Sequence, residues 1–208
     1  MKNPLYEAFI NAGNEAGYGI TDDYNGYRQE GMSKMDMTVK GGVRCSTANA
    51  YLKPVLHREN LTVITEALTK RVILEGRKAV GVESEIEGDT HQVKATKEVI
   101  LSAGSVGSPQ ILQMSGIGPT NVLREAGIDT LHELPGVGEN LHDHLESVIQ
   151  YETNLPVSLN RHMGPFGKFL IGARWFLFKS GLGATNHFES TGFIRTHAGV
   201  KWPNVQFH

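Results

Sequence analysis

Residues Gly104–Gly118 narrow what this chain can fold into more than any other stretch. The apolar run Val99-Ile100-Leu101 leads into Ala103-Gly104, and small residues then force a tight turn. A strand that ends on Ala103 and Gly104 lets a ligand approach the backbone closely, because no large side chain stands in the way. Ser108 suits an N-cap and Pro109 the first helical position, so a short helix is predicted from there until Gly116-Ile117-Gly118 stops it. Strand, small-residue turn and helix N-terminus together are how α/β proteins present backbone N–H groups to a nucleotide.

The remaining pattern agrees with a loop-rich chain of mixed helix and strand. Twenty-four glycines in 208 residues cluster at turns rather than in a low-complexity tract. Pro4 to Gly17 reads as an amphipathic helix, with Leu5, Phe9 and Ala12 on one side. Ser46 or Thr47 caps a helical stretch through Leu52. Leu61–Thr65 and Glu98–Leu101 read as short strands, and residues 71–83 as a hairpin around Gly76. A small helix covers Asn121 to Ala126, ended by Gly127, and Ile128 to Leu134 is extended. The texture changes near Leu145, where we draw a boundary. Beyond it, Ser147–Tyr151, Phe188–Arg195 and Asn204–His208 read as strands and Phe166–Lys179 as a packed helix.

Bulk properties exclude several function classes. The net charge of −2, with cations scattered, does not suit a nucleic-acid backbone as main partner. No apolar stretch approaches the roughly 20 residues that span a bilayer, and the first residues hold no signal-peptide core. The single Cys45 cannot close an internal disulfide, which fits a reducing compartment. His142 and His144 would share one face of an extended stretch. No further ligand is patterned around them, so no metal is expected.

The segment Gly104–Gly118 resembles the second signature of the glucose–methanol–choline oxidoreductases, a family of FAD-dependent, alcohol-oxidising enzymes. Residues 44–48, 60–63, 79–83 and 134–144 are similar to the same family, so the resemblance runs over nearly the whole chain. It implies the middle of an FAD-binding α/β domain over residues 1–145 and part of an antiparallel-sheet substrate domain over 146–208. No stretch matches the family's opening Gly-x-Gly-x-x-Gly unit or its catalytic-histidine region, so no catalytic residue is assigned here.

The resemblance also assigns sites. Ala103 and Gly104 would lie near the adenosine part of FAD, the backbone of Val72 would pair with the adenine edge, and the loop carrying Asn140 and His144 would run close to the flavin. The segments 152–159, 183–195 and 202–208 are similar to choline-oxidising members, which implies a choline-like alcohol as small-molecule substrate. Glu189 would then meet the trimethylammonium group and His208 would line the alcohol site. A carboxylate in a mostly apolar strand is costly without compensation. A quaternary cation with no N–H donors is best met by carboxylate charge and aromatic faces, for which Phe188, Trp175, Trp202 and Phe207 are candidates. Read without the resemblance, Glu189 is a surface glutamate, Val72 a core valine and His208 a solvated terminal histidine. A neutral alcohol or a non-catalytic gene product are the alternative functions. Oxygen, a quinone or a carrier protein all suit as electron acceptor. The expected location is cytoplasmic, with peripheral attachment to the inner membrane left open.

Overall fold

The computed structural model describes residues 3–208; Met1 and Lys2, the start of the stretch searched for a leader, lie outside them. Helix α1 (Pro4–Glu15) starts where its sequence says it should: the Asn3 side chain accepts from Leu5 N at 2.9 Å and Pro4 occupies the first turn. Its inward face is not the predicted one. Ile10 is buried and Tyr6 and Gly13 are half-buried, while Leu5, Phe9 and Ala12 are exposed. The reason is close approach rather than apolar volume. A Cβ at Gly13 would fall 2.5 Å from the Met32 side chain, which packs directly against the bare helix backbone there.

Strand β1 (Gly31–Lys34) follows, then a small ladder of β2 (Val39–Lys40) with β3 (Val43–Arg44). The turn of helix at Ala48–Leu52 is preceded by Ser46, whose Oγ accepts from Asn49 N. Strands β4 (Leu68–Glu75), β5 (Lys78–Ile86) and β6 (Asp89–Lys94) form an antiparallel meander in that order. The predicted hairpin is present, with Gly76 at φ 60° opening a two-residue turn, a position that demands glycine. The third strand is unpredicted because every residue of Asp89–Lys94 is exposed and mostly polar, which hides it from hydrophobic patterning. Its turn, Glu87-Gly88, has φ 53° and 89°, the double positive φ of a type I′ hairpin.

Helix α2 (Gly104–Met114) begins about five residues earlier than predicted. Ser108 lies inside it and reaches back, its Oγ accepting from Ala103 N at 2.9 Å, so the cap is supplied from within the helix rather than ahead of it. Strand β7 (Ile117–Gly118), helix α3 (Thr120–Glu125), ended by Gly127 at φ 71°, and β8 (His132–Glu133) complete this region; β7 and β8 pair in parallel. Helix α4 (Pro165–Phe178) matches its predicted span, but none of its residues is buried. Strands β9 (Ser190–Ile194) and β10 (Val205–Phe207) join β1 in an antiparallel sheet of order β1-β9-β10.

Three predicted strands, at 61–65, 98–101 and 147–151, pair with nothing among the described residues. Apolar composition favours extended backbone there, but a strand needs a partner edge, and Ile100, Val148 and Ile149 stay exposed.

The elements group into two compact units. One joins the chain up to Leu61 with Ile149–His208; the other is Thr62–Val148. The sequence boundary near Leu145 is single, whereas the chain changes unit twice, because β1 pairs with β9 and α1 packs on both.

Candidate functional site

Within Thr62–Val148, the turn before α2 is built for a close backbone approach. Gly104 has φ 81°, a conformation L side chains rarely adopt, and nothing lies within 4 Å of where its Cβ would be. The space facing it is therefore open, with the exposed residues Ser105 and Val106 following at the positive end of an eleven-residue helix. At the other end of α2, Ser115 is 4% exposed. Its Oγ accepts from Val72 N on β4 at 2.8 Å and donates to Ile111 O at 2.5 Å. Val72 is buried, and this contact occupies the backbone donor that the resemblance assigns to the adenine edge. Its carbonyl, on the same strand edge, keeps that direction.

Gln113 ties the next loop to α2 by donating from Nε2 to Val137 O at 3.2 Å. A Cβ at Gly138, where φ is 84°, would fall 2.7 Å from that nitrogen. The loop runs on through Asn140, which is left-handed at φ 57°, to His144, whose N donates to Asp143 Oδ1. The His142 ring nitrogen Nδ1 bonds Asn140 O at 2.8 Å. Among the described residues, no three His, Cys, Asp or Glu side chains gather as a metal site.

In the other unit, a cavity of about 390 Å³ is lined by Tyr6 of α1, Leu170, Ile171 and Arg174 of α4, and the turn that carries Thr185 and Glu189. Thr185 organises that turn: its Oγ1 donates to Glu189 Oε1 at 2.9 Å and accepts from His187 N at 3.1 Å. His187 is held at φ 65°, and its carbonyl accepts from Tyr6 Oη at 2.6 Å. Burial, and secondarily the Glu189 charge, pushes the Tyr6 phenol above its ordinary value. The sheet fixes Glu189 through its carbonyl, which accepts from Met35 N.

The structure thus sorts the predicted residues. Val72, Ala103, Gly104, Asn140 and His144 all lie in Thr62–Val148; Glu189 and His208 lie in the other unit. Glu189 lines the cavity and His208 does not: its ring packs edge-on against Phe188 at 5.2 Å. The four candidate cage aromatics are not brought together. Trp175 donates to Gly42 O at 2.7 Å and carries Lys179 Nζ over its ring, and Phe207 packs on Phe9. Tyr6 is instead the aromatic side chain beside Glu189, a partner 183 positions away that no local signal could have marked.

One unit carries a small-residue turn that opens a helix, and the other an antiparallel sheet beside a cavity with a carboxylate on its wall. The chain belongs to the GMC oxidoreductase family, whose model matches residues 1–146. It is 59% identical over 206 residues to an oxygen-dependent choline dehydrogenase of Photobacterium profundum, covering 99% of this chain and 36% of that one. It is 56% identical, again over 206 residues, to an oxygen-dependent choline dehydrogenase of Vibrio vulnificus, covering 99% of this chain and 37% of that one. A solved FAD-dependent oxidoreductase from Chaetomium thermophilum superposes with TM-score 0.76 at 26% identity, over 91% of this chain and 34% of that chain. The chain spans about a third of the length of the curated relatives it matches.

Proposed function

We propose that this chain forms part of an FAD-dependent oxidoreductase that acts on CH–OH donors, with choline as the alcohol and betaine aldehyde as the product, working in the cytoplasm. Glu189, the one carboxylate among the described residues that line a cavity shared by Leu159, Leu170, Ile171 and Arg174, is the observation that favours a cationic substrate over a neutral one.

FAD, when bound, accepts the hydride from the alcohol carbon. The open space at Gly104 fits close passage of the cofactor, and the first-turn amides of α2 that follow it are donors for its polar groups. The Val72 carbonyl is the strand-edge group left for the adenine, its amide being held by Ser115. The loop with Asn140 and His144 is the third element assigned to the cofactor, held to α2 through Gln113. Glu189 binds the trimethylammonium group, with its carboxylate oriented by Thr185. His208 is assigned to the alcohol end.

The test grafts residues 3–208 in place of the corresponding third of the Photobacterium profundum enzyme and compares choline with its neutral tert-butyl isostere. A charge pair about 5 Å apart is worth roughly 0.8 to 3.3 kcal/mol between the dielectric of water and that of a protein surface. Glu189→Gln should therefore lower kcat/KM for choline by about 4- to 250-fold and leave the isostere unchanged. An equal loss on both substrates, or none on choline, removes the cation-binding role.

A further inference from the structure

The cavity beside Glu189 carries both signs of charge, because Arg174 of α4 lines it as well. Among the described residues no ion pair joins the two. Each is held by a neighbour of its own. Arg174 Nε donates to Ser180 Oγ at 3.3 Å, and its stem lies over Gly181, where φ is 83° and a Cβ would fall 2.9 Å from Arg174 Cδ. Glu189 Oε1 accepts from Thr185 Oγ1 at 2.9 Å. The sequence around the arginine offers it no carboxylate, since residues 153–188 contain none of the chain's 22 acidic residues. Elsewhere arginines close onto carboxylates, Arg71 onto Glu83 at 3.0 Å and Arg195 onto Glu30 at 2.9 Å. Opposite charges that share one cavity without closing leave a gap for a ligand that carries both signs itself.

We propose that this cavity takes a zwitterion, a quaternary ammonium compound that also bears a carboxylate, with its cationic end on Glu189 and its anionic end on Arg174. The Glu189 half rests on the cation-binding role given above. A ligand with a single positive charge meets the carboxylate and is repelled by the guanidinium, whereas a zwitterion satisfies both. With Nε on Ser180, Arg174 keeps its two terminal nitrogens, a pair of donors that matches the two oxygens of a carboxylate. Leu159, Leu170, Ile171 and Leu182 supply apolar wall for the methyl and methylene groups between the charged ends. At about 390 Å³ the cavity falls within the size of small-molecule sites, roughly 300–1,000 Å³.

The test is calorimetric titration of the purified chain with 4-(trimethylammonio)butanoate and with its methyl ester, which keeps the cation and loses the anion. Arg174 is exposed, so its pair with a carboxylate is worth what it is worth in water, and the acid should bind about fivefold more tightly than the ester. Arg174→Gln should remove that preference and leave the ester bound as tightly or more so, with an unchanged far-ultraviolet spectrum; Arg174→Lys should restore part of it. Glu189→Gln should weaken acid and ester alike. Equal binding of acid and ester in a chain that still loses affinity on Glu189→Gln would overturn the zwitterion alone, as would an Arg174→Gln loss equal on both ligands. No effect of Glu189→Gln, or no binding of either ligand, would overturn the cation site and the zwitterion with it.

Discussion

The contact between Ser115 and Val72 makes a quantitative demand on unit Thr62–Val148. Ser115→Ala removes the acceptor for a buried strand amide, at a serine that is 4% exposed, and water has little access to replace it. The Ile111 carbonyl that the hydroxyl also meets sits in helix α2 and also accepts Ser115 N at 3.1 Å, so the orphaned group is the Val72 N–H. Leaving a buried donor unsatisfied costs about 1–3 kcal/mol, equivalent to roughly 5- to 150-fold in a local opening constant. Tryptophan or tyrosine fluorescence cannot read this, because residues 62–148 contain no Phe, Trp or Tyr. The assay is amide hydrogen exchange resolved by peptide. Protection of residues 68–75 and of the α2 C-terminal turn should fall together, while residues 190–207 in the other unit stay as they were. Ser108→Ala is the internal control: its bond to Ala103 N is exposed, so its effect should be the smaller. If strand β4 keeps full protection in Ser115→Ala, the hydroxyl does not hold strand to helix and the reasoning fails.

Local chemistry made much of this fold legible. Pro4, Gly76, Gly127 and the Phe166–Lys179 pattern each act through their own backbone or nearest turn, and each element stands within a residue or two of its signal. The errors share a cause, which is dependence on a distant partner. Glu98–Leu101 has the composition of a strand and no edge to pair with among the described residues. The face that α1 buries was set by how closely Gly13 can approach Met32, which an apolar count cannot see. The start of α2 was misplaced because Ser108 caps backwards across five residues.

The candidate site divides in the same way. Gly104 was singled out by the small-residue turn after an apolar run, and Glu189 by the family resemblance, since read alone it is a surface glutamate; the structure places it in the turn just before β9. The groups that hold those residues' surroundings were not. Ser115 meets Val72 across 43 positions and Tyr6 meets His187 across 181. Hydrogen bonds of that reach depend on the packed fold, so periodicity and spacing carry no trace of them. The aromatic cage failed for a related reason: Trp175 is apolar and near in sequence, but its indole N–H needs an acceptor, and Gly42 O supplies one away from the cavity.

Two further perturbations follow from the unit that carries Glu189. Gly42→Ala should unfold or displace the α4 C-terminus, since the new Cβ would fall 1.8 Å from Lys179 O and Gly42 already has φ 71°; thermal melting followed by tryptophan fluorescence reads it, because Trp175 bonds the same residue. Tyr6 should be among the last tyrosines to ionise in an alkaline titration followed by tyrosinate absorbance, and Tyr6→Phe should delete that late component. Its folded-state value lies above the ordinary phenol value of about 10, so the neutral phenol contributes stability fully below the unfolded value, and this is lost as pH rises through the folded one. Burial is the larger cause and the Glu189 carboxylate the smaller, so Glu189→Gln should bring the Tyr6 titration only part of the way back. A full return would mean that charge rather than burial governs the phenol. No movement at all would mean that Glu189 does not act on Tyr6, and the two would no longer belong to one site.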